Sequence, residues 1–200
     1  MKRSRYIAQA GIIAAVYAAA TIVVLQFPGQ LGWGLVQLRV SEAITVVALF
    51  TPAAVPGLAL GSVVANSFMA TQVGLTLAIW DIAFGSLATF LGALWTWRMR
   101  SKPVVALAGP VVTNALIVPA YLPLLLAGLG LYRIPLLGID VESAWPLAYL
   151  FGVVSVGLGE AIVVYGLGLP LAALLRRAGA ETLQEPNGLG AVGSADRKRR

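Results

Sequence analysis

The sequence predicts an all-α membrane protein of six transmembrane helices, with its N- and C-termini on the cytoplasmic side. Three observations predict it. First, the 200 residues are 59% apolar and 11% charged, with a mean hydropathy of +0.87; a soluble domain has about 45–50% and about 25%. Second, the apolar residues gather into six runs. Third, most cations stand at the ends of alternate runs. The net charge of +6 therefore reads as membrane orientation, because cytoplasmic loops collect Lys and Arg, and no nucleic-acid partner is expected. Cys and His are both absent, which excludes disulfides, thiol nucleophiles and histidine chemistry.

A helix crosses the hydrocarbon with about 20 apolar residues. Residues 6–25 supply the first, with Gln9 its strongly polar side chain. The basic start and Ala18-Ala19-Ala20 resemble a signal peptide, but the run continues from Thr21 to Leu25, and a retained helix is expected. Residues 39–51 form a short second run, closed by a break at Pro52 and Pro56. Residues 55–71 and 77–97 give the third and fourth. The fifth, 104–130, carries expected interruptions at Pro110, Pro119 and Pro123. The last, 146–175, is long enough to tilt.

Lys2, Arg3 and Arg5 precede the first run; Arg98, Arg100 and Lys102 follow the fourth; Arg176 and Arg177 follow the sixth. Six crossings place these clusters on one face. The expectation is a six-helix domain over 1–177 and a disordered cytoplasmic tail over 178–200, where Gly, Glu, Asn and Ser replace aliphatics.

Three of the eight acids fall within the runs: Glu42, Asp81 and Glu160. Each intramembrane charge costs about 2.5–3.5 kcal/mol on the most lenient scale, so each calls for a partner, water or ligand. Arg39, Asn66 and Asn114 join them. Arg39 and Glu42, three apart, are expected to pair on one helix face near its outer end. The set as a whole is expected to turn away from lipid toward one chamber, biased to the outer half. Trp80, beside Asp81, and Tyr149 are expected as ring-stacking walls; Trp33, Tyr121, Tyr132 and Trp145 are expected in the interfacial aromatic belt.

Small residues at four-residue spacing let helices approach closely. On the first run Ala10, Ala14 and Ala18 form such a stripe, with Gly11, Ala15 and Ala19 parallel to it; a partner surface is expected there. Gly57, Gly61 and Ala65 on the third are expected to pack within the bundle. No phosphate loop, zinc motif or nucleophile elbow is present in the sequence, so no cofactor, resident metal or catalytic centre is expected.

The segments Val36–Val46, Phe50–Gly57, Ala65-Asn66, Trp80–Thr89, Thr113–Ala115 and Gly159–Val163 resemble the queuosine-precursor transporter (QueT) family over roughly residues 5–175. The resemblance implies a substrate-binding S component of an energy-coupling factor (ECF) transporter in the cell membrane. It implies six helices, a ligand site near the outer face, and a substrate that is queuine or a related 7-deazaguanine. The implied partners are a transmembrane coupling subunit and two cytoplasmic ATPases, docked on small residues of the first helix. The shared segments hold Arg39, Glu42, Asn66, Trp80, Asp81, Asn114 and Glu160; which of them touch the ligand stays open. The chemistry suits a guanine-like edge, whose adjacent N–H donors are accepted side by side by one carboxylate. Asp81 or Glu160 would take that role, Asn66 or Asn114 would meet the ring carbonyl, and an aminomethyl group would engage a second acid. The competing readings are an S component for another vitamin-like compound and a structural or assembly membrane protein.

Overall fold

The computed structural model describes residues 3–26, 38–128, 133–134, 139–140 and 145–180. Trp33, Tyr132, Glu142 and most of the expected tail lie outside them. Helix α1 spans Arg3–Gln26 without a break. A 3₁₀ helix follows at Val40–Leu49, then α2 at Ala54–Val73. Helices α3 (Leu75–Trp80) and α4 (Ser86–Arg98) are joined by a π-helical turn at Asp81–Gly85. Helix α5 (Pro103–Ala106) leads into α6 (Ala108–Gly128). Arg133–Ile134 and Ile139–Asp140 pair as a two-residue antiparallel ladder, β1 and β2. Helix α7 (Trp145–Val163) passes through a second π turn, Val164–Gly168, into α8 (Leu169–Arg177).

The chain is thus an α-helical membrane protein. Among the described residues, four helical stretches are long and apolar enough to cross a bilayer: Arg3–Val24, Ala78–Arg98, Pro103–Tyr121 and Trp145–Arg177. Val40–Leu49 and Ala54–Phe68 are shorter apolar helices. The short second run compensates in part through its geometry. A 3₁₀ helix rises about 2.0 Å per residue, so ten residues reach about 20 Å.

Three of the expected interruptions differ from the structure. Pro56 lies in the first turn of α2, where a missing N–H costs nothing. Pro119 and Pro123 lie inside a continuous α6. Helix α6 tolerates Pro119 because α7 is shaped to it. A Cβ on Gly152 would sit 2.8 Å from Pro119 Cβ, and the Tyr149 hydroxyl donates to the Leu116 carbonyl one turn earlier, at 3.1 Å.

Packing differs from that of a soluble bundle. Ile7, Ile12, Val16, Leu60, Leu150 and Ile162 face outward, while the interior mixes Ala, Thr, Ser and Asn with a few larger side chains such as Leu58, Leu107 and Val164. Lipid gives no hydrophobic reward for burying a leucine, so close backbone contact between small residues decides helix association. The 3₁₀ helix is central: α1, α2, α4, α7, the second π turn and α8 all touch it. Its Val46, Leu49 and Phe50 share a cluster with Leu107, Val164 and Ala172, and Ala48 joins Tyr17, Val55, Leu58 and Ala93.

The stripe Ala10, Ala14, Ala18, expected to dock a partner, is used inside the chain. Ala14 and Ala18 are buried, and a Cβ on Gly57 or Gly61 would collide with the Ala10 or Ala14 carbonyl at 2.8 and 2.7 Å. Rotation of α1 about its axis decides between its two small faces. Gly11, Ala15 and Ala19 are the exposed set, and nothing lies within 4 Å of a Cβ placed on Gly11.

Candidate functional site

Two of the three acids within the apolar runs sit in departures from α-helical geometry, and the third lies close to one. Glu42 sits in the 3₁₀ helix, Asp81 opens the first π turn, and Glu160 lies one turn before the second. Such departures turn side chains off the regular helical stripe and are common where helices carry function. All three acids are buried, at 0%, 5% and 3% exposure.

Asp81 is the best-partnered. Arg39 Nη2 donates to both its carboxylate oxygens at 3.2 and 3.3 Å, and the Tyr121 hydroxyl donates to Oδ1 at 2.6 Å. Asn66 Nδ2 donates to the Asp81 carbonyl at 2.8 Å. Ser62, Ser86 and Thr89 continue this network across α2 and α4. Gly85 makes room for it: a Cβ there would lie 2.7 Å from Asp81 Oδ1 and 3.1 Å from both Asn66 Nδ2 and the Tyr121 hydroxyl.

The expected Arg39–Glu42 pair is replaced by Arg39–Asp81. Arg39 precedes the 3₁₀ helix as its N-cap and is not on a shared α-helical face with Glu42. Glu42 instead accepts a hydrogen bond from the Tyr17 hydroxyl of α1. Tyr17 lies seven residues before the end of the first crossing, about 10 Å along the axis, so Glu42 is deeper than its place at the start of an apolar run suggests.

Four buried polar atoms have no hydrogen-bond partner among the described residues: Ser41 Oγ, Glu42 Oε2, Asn114 Oδ1 and Glu160 Oε2. Asn114 spends its amide nitrogen on the Pro110 carbonyl of its own helix, 3.1 Å away. Helices α6 and α7 run antiparallel, with Ala115 opposite Gly157 and Pro119 opposite Gly152. That register sets Asn114 and Glu160 within about one turn of the same level. Glu160 also lies within electrostatic reach of Glu42 and Arg39. Arg39, Glu42, Asn114 and Glu160 therefore gather toward one layer, with Asp81 and Asn66 bound to it through Arg39.

Trp80 and Tyr149 occupy other surroundings. Trp80 is 40% exposed and stacks on Phe84, ring centroids 5.8 Å apart; Phe84 in turn meets Tyr121 at 6.2 Å. The Trp80 ring is thus linked to the Asp81 carboxylate through Phe84 and Tyr121. Tyr149 stacks on Trp145 at 5.6 Å and lies 11 residues before Glu160, about 16 Å along α7. Two side chains that sequence reasoning passed over belong to the site. Tyr17 has a phenol in mid-run, far from either interface, which demands a buried partner; that was the available signal. Tyr121, placed in the aromatic belt, is buried on Asp81.

The arrangement is suited to holding a polar molecule by hydrogen bonds and charge inside an apolar shell. The family model described as QueT transporter matches residues 7–177. No curated protein and no solved structure gave a significant match. The match covers all of the described helices except the first residues of α1, including every residue of the buried layer, and the chain belongs to the QueT transporter family.

Proposed function

We propose that this chain is the substrate-binding membrane subunit of an energy-coupling factor importer, and that it binds a queuosine precursor, queuine or a related 7-deazaguanine. It crosses the cell membrane six times with both termini on the cytoplasmic side. It works with a transmembrane coupling subunit and two cytoplasmic ATPases, since its sequence carries no phosphate loop of its own. The observation that carries the reading is the layer of buried acceptor atoms, Glu42 Oε2, Asn114 Oδ1 and Glu160 Oε2, that no described side chain satisfies. An unmade buried hydrogen bond costs about 1–3 kcal/mol, and a flat base with adjacent ring N–H and amino donors offsets that cost at several atoms together. The exposed strip of Gly11, Ala15 and Ala19 offers the coupling subunit the close approach that the neighbouring stripe, spent on α2, does not.

Uptake of radiolabelled queuine by cells expressing the chain with its coupling subunit and ATPases tests the proposal. Uptake should require the ATPases and resist competition by thiamine, riboflavin and biotin. Failure of queuine to bind or enter overturns the substrate; competition by one of the vitamins points to the alternative ligand.

A further inference from the structure

Charge is unbalanced in the buried layer. Among its described residues it holds one cation, Arg39, and three carboxylates, Asp81, Glu42 and Glu160. Arg39 is committed to Asp81, which also takes the Tyr121 hydroxyl. Glu42 receives one neutral donor, Tyr17. Glu42 Oε2 and Glu160 Oε2 receive none.

The helices bring these two acids to one depth. Gly168 lies against Val46 and Ala43, and Ala172 shares a cluster with Leu49 and Phe50, so the last helical stretch and the 3₁₀ helix run in the same direction. Glu160 precedes Gly168 by eight residues, at most about 12 Å because Val164–Gly168 is π-helical. Along a 3₁₀ helix that is at most about six residues, which leads back from Val46 into the first turn of that helix, where Ser41 and Glu42 stand. Asn114 Oδ1, 1% exposed and unpartnered, is an independent acceptor brought to this level by α6. Three buried oxygens, Glu42 Oε2, Asn114 Oδ1 and Glu160 Oε2, receive no donor from the described residues and suit a ligand that donates; two carboxylates whose one described neighbouring cation is paired with Asp81 suit one that is positively charged.

We propose that Glu42 and Glu160 form a subsite for a positively charged amino group on the ligand, while Asp81 belongs to the scaffold. The inference rests on the reading of the chain as a binder of 7-deazaguanines and adds the charge state it selects. The carboxylate pair holds the cation through charge-assisted hydrogen bonds, and Asn114 accepts from a ring or amino N–H. A neutral substituent at the same position leaves the carboxylate pair without a matching charge.

Calorimetry on the full chain in nanodiscs, with two probes sharing one ring, tests this. The cationic probe is 7-aminomethyl-7-deazaguanine and the neutral one 7-cyano-7-deazaguanine. The cation should bind about tenfold tighter or better. Glu160→Gln should abolish that preference, the affinity for the cationic probe falling at least tenfold further than that for the nitrile. Glu42→Gln, which keeps an acceptor for Tyr17, should shrink the preference and serves if the first variant does not fold. Asn114→Ala should weaken both probes alike and leave their ratio unchanged. Equal affinity of the two probes, or a preference that survives both glutamine variants, overturns the subsite. If neither probe binds but pyridoxamine, a primary ammonium on another ring, binds in a Glu160-dependent way, the subsite stands and the 7-deazaguanine reading falls.

Discussion

Single side chains divide here into those that complete a network and those that await one. Asp81 is complete, and Gly85 is the residue that permits it. Gly85→Ala would press a methyl group against Asp81 Oδ1 at 2.7 Å. It should cost about 1–3 kcal/mol, as overpacking does, read as a lowered melting temperature in detergent. Tyr17 plays the corresponding part for Glu42. Tyr17→Phe removes the donor and should destabilise by about 1–3 kcal/mol. In the Glu42→Gln background the same change should cost less, because paired deletions at one contact are not additive. An equal cost in both backgrounds would show that the phenol acts through packing alone. The acids themselves were legible as residue types, because a carboxylate amid aliphatics stands out in any sequence. Their partners were not. Arg39 lies three residues from Glu42 and 42 from Asp81, yet the fold joins it to the distant one.

Helices associate here where glycine removes a side chain from a crossing. A methyl group added at Gly61 would lie 2.7 Å from the Ala14 carbonyl oxygen and 3.0 Å from Tyr17 Cβ. Gly61→Val should therefore separate α1 from α2, break the Tyr17–Glu42 contact and abolish a cooperative melt. Gly11→Ala and Gly166→Ala meet nothing within 4 Å and should leave stability unchanged or raise it by up to about 1 kcal/mol through helix propensity. If all three variants melt alike, close packing is not what holds α1 in place. The apolar runs announced these elements, down to the shortness of the second. Hydropathy is blind to whether a helix is α, 3₁₀ or π, since the same side chains suit each. The non-α geometry at Glu42, at Asp81 and beyond Glu160 is therefore not written in the runs. Nor is the continuation of α6 through Pro119: its fitting into Gly152 of α7 is invisible from either segment alone.

For the molecule in its bilayer, the proposed six crossings place the amino terminus, the α4–α5 connection and the end of α8 on the cytoplasmic side. Arg100 lies 3.9 Å over the Trp97 ring and donates to the Trp97 carbonyl at 3.0 Å, an aromatic and basic anchor suited to that interface. The sequence contains no cysteine, so single-cysteine variants have no background. Ser4→Cys, Ser101→Cys and Ala178→Cys should resist a membrane-impermeant maleimide in intact cells and react after permeabilisation. Thr76→Cys, exposed beside Gly74 and Leu75, should react from outside at once. Labelling of Ser101→Cys in intact cells would reverse or break the proposed topology.

Composition, run length and the placement of cations determined that this chain is a helical membrane protein and which ionisable groups it carries into hydrocarbon. Those properties follow from the energy of transferring each residue from water to lipid, which is additive along a chain and needs no knowledge of neighbours. The tertiary structure decided which face of α1 is spent on α2, that Asp81 is paired with Arg39, and that Glu42 and Glu160 share a layer whose described cation is committed to Asp81. Those properties depend on register and rotation between helices, which small residues set through distances of a few ångströms and which no stretch of sequence contains by itself.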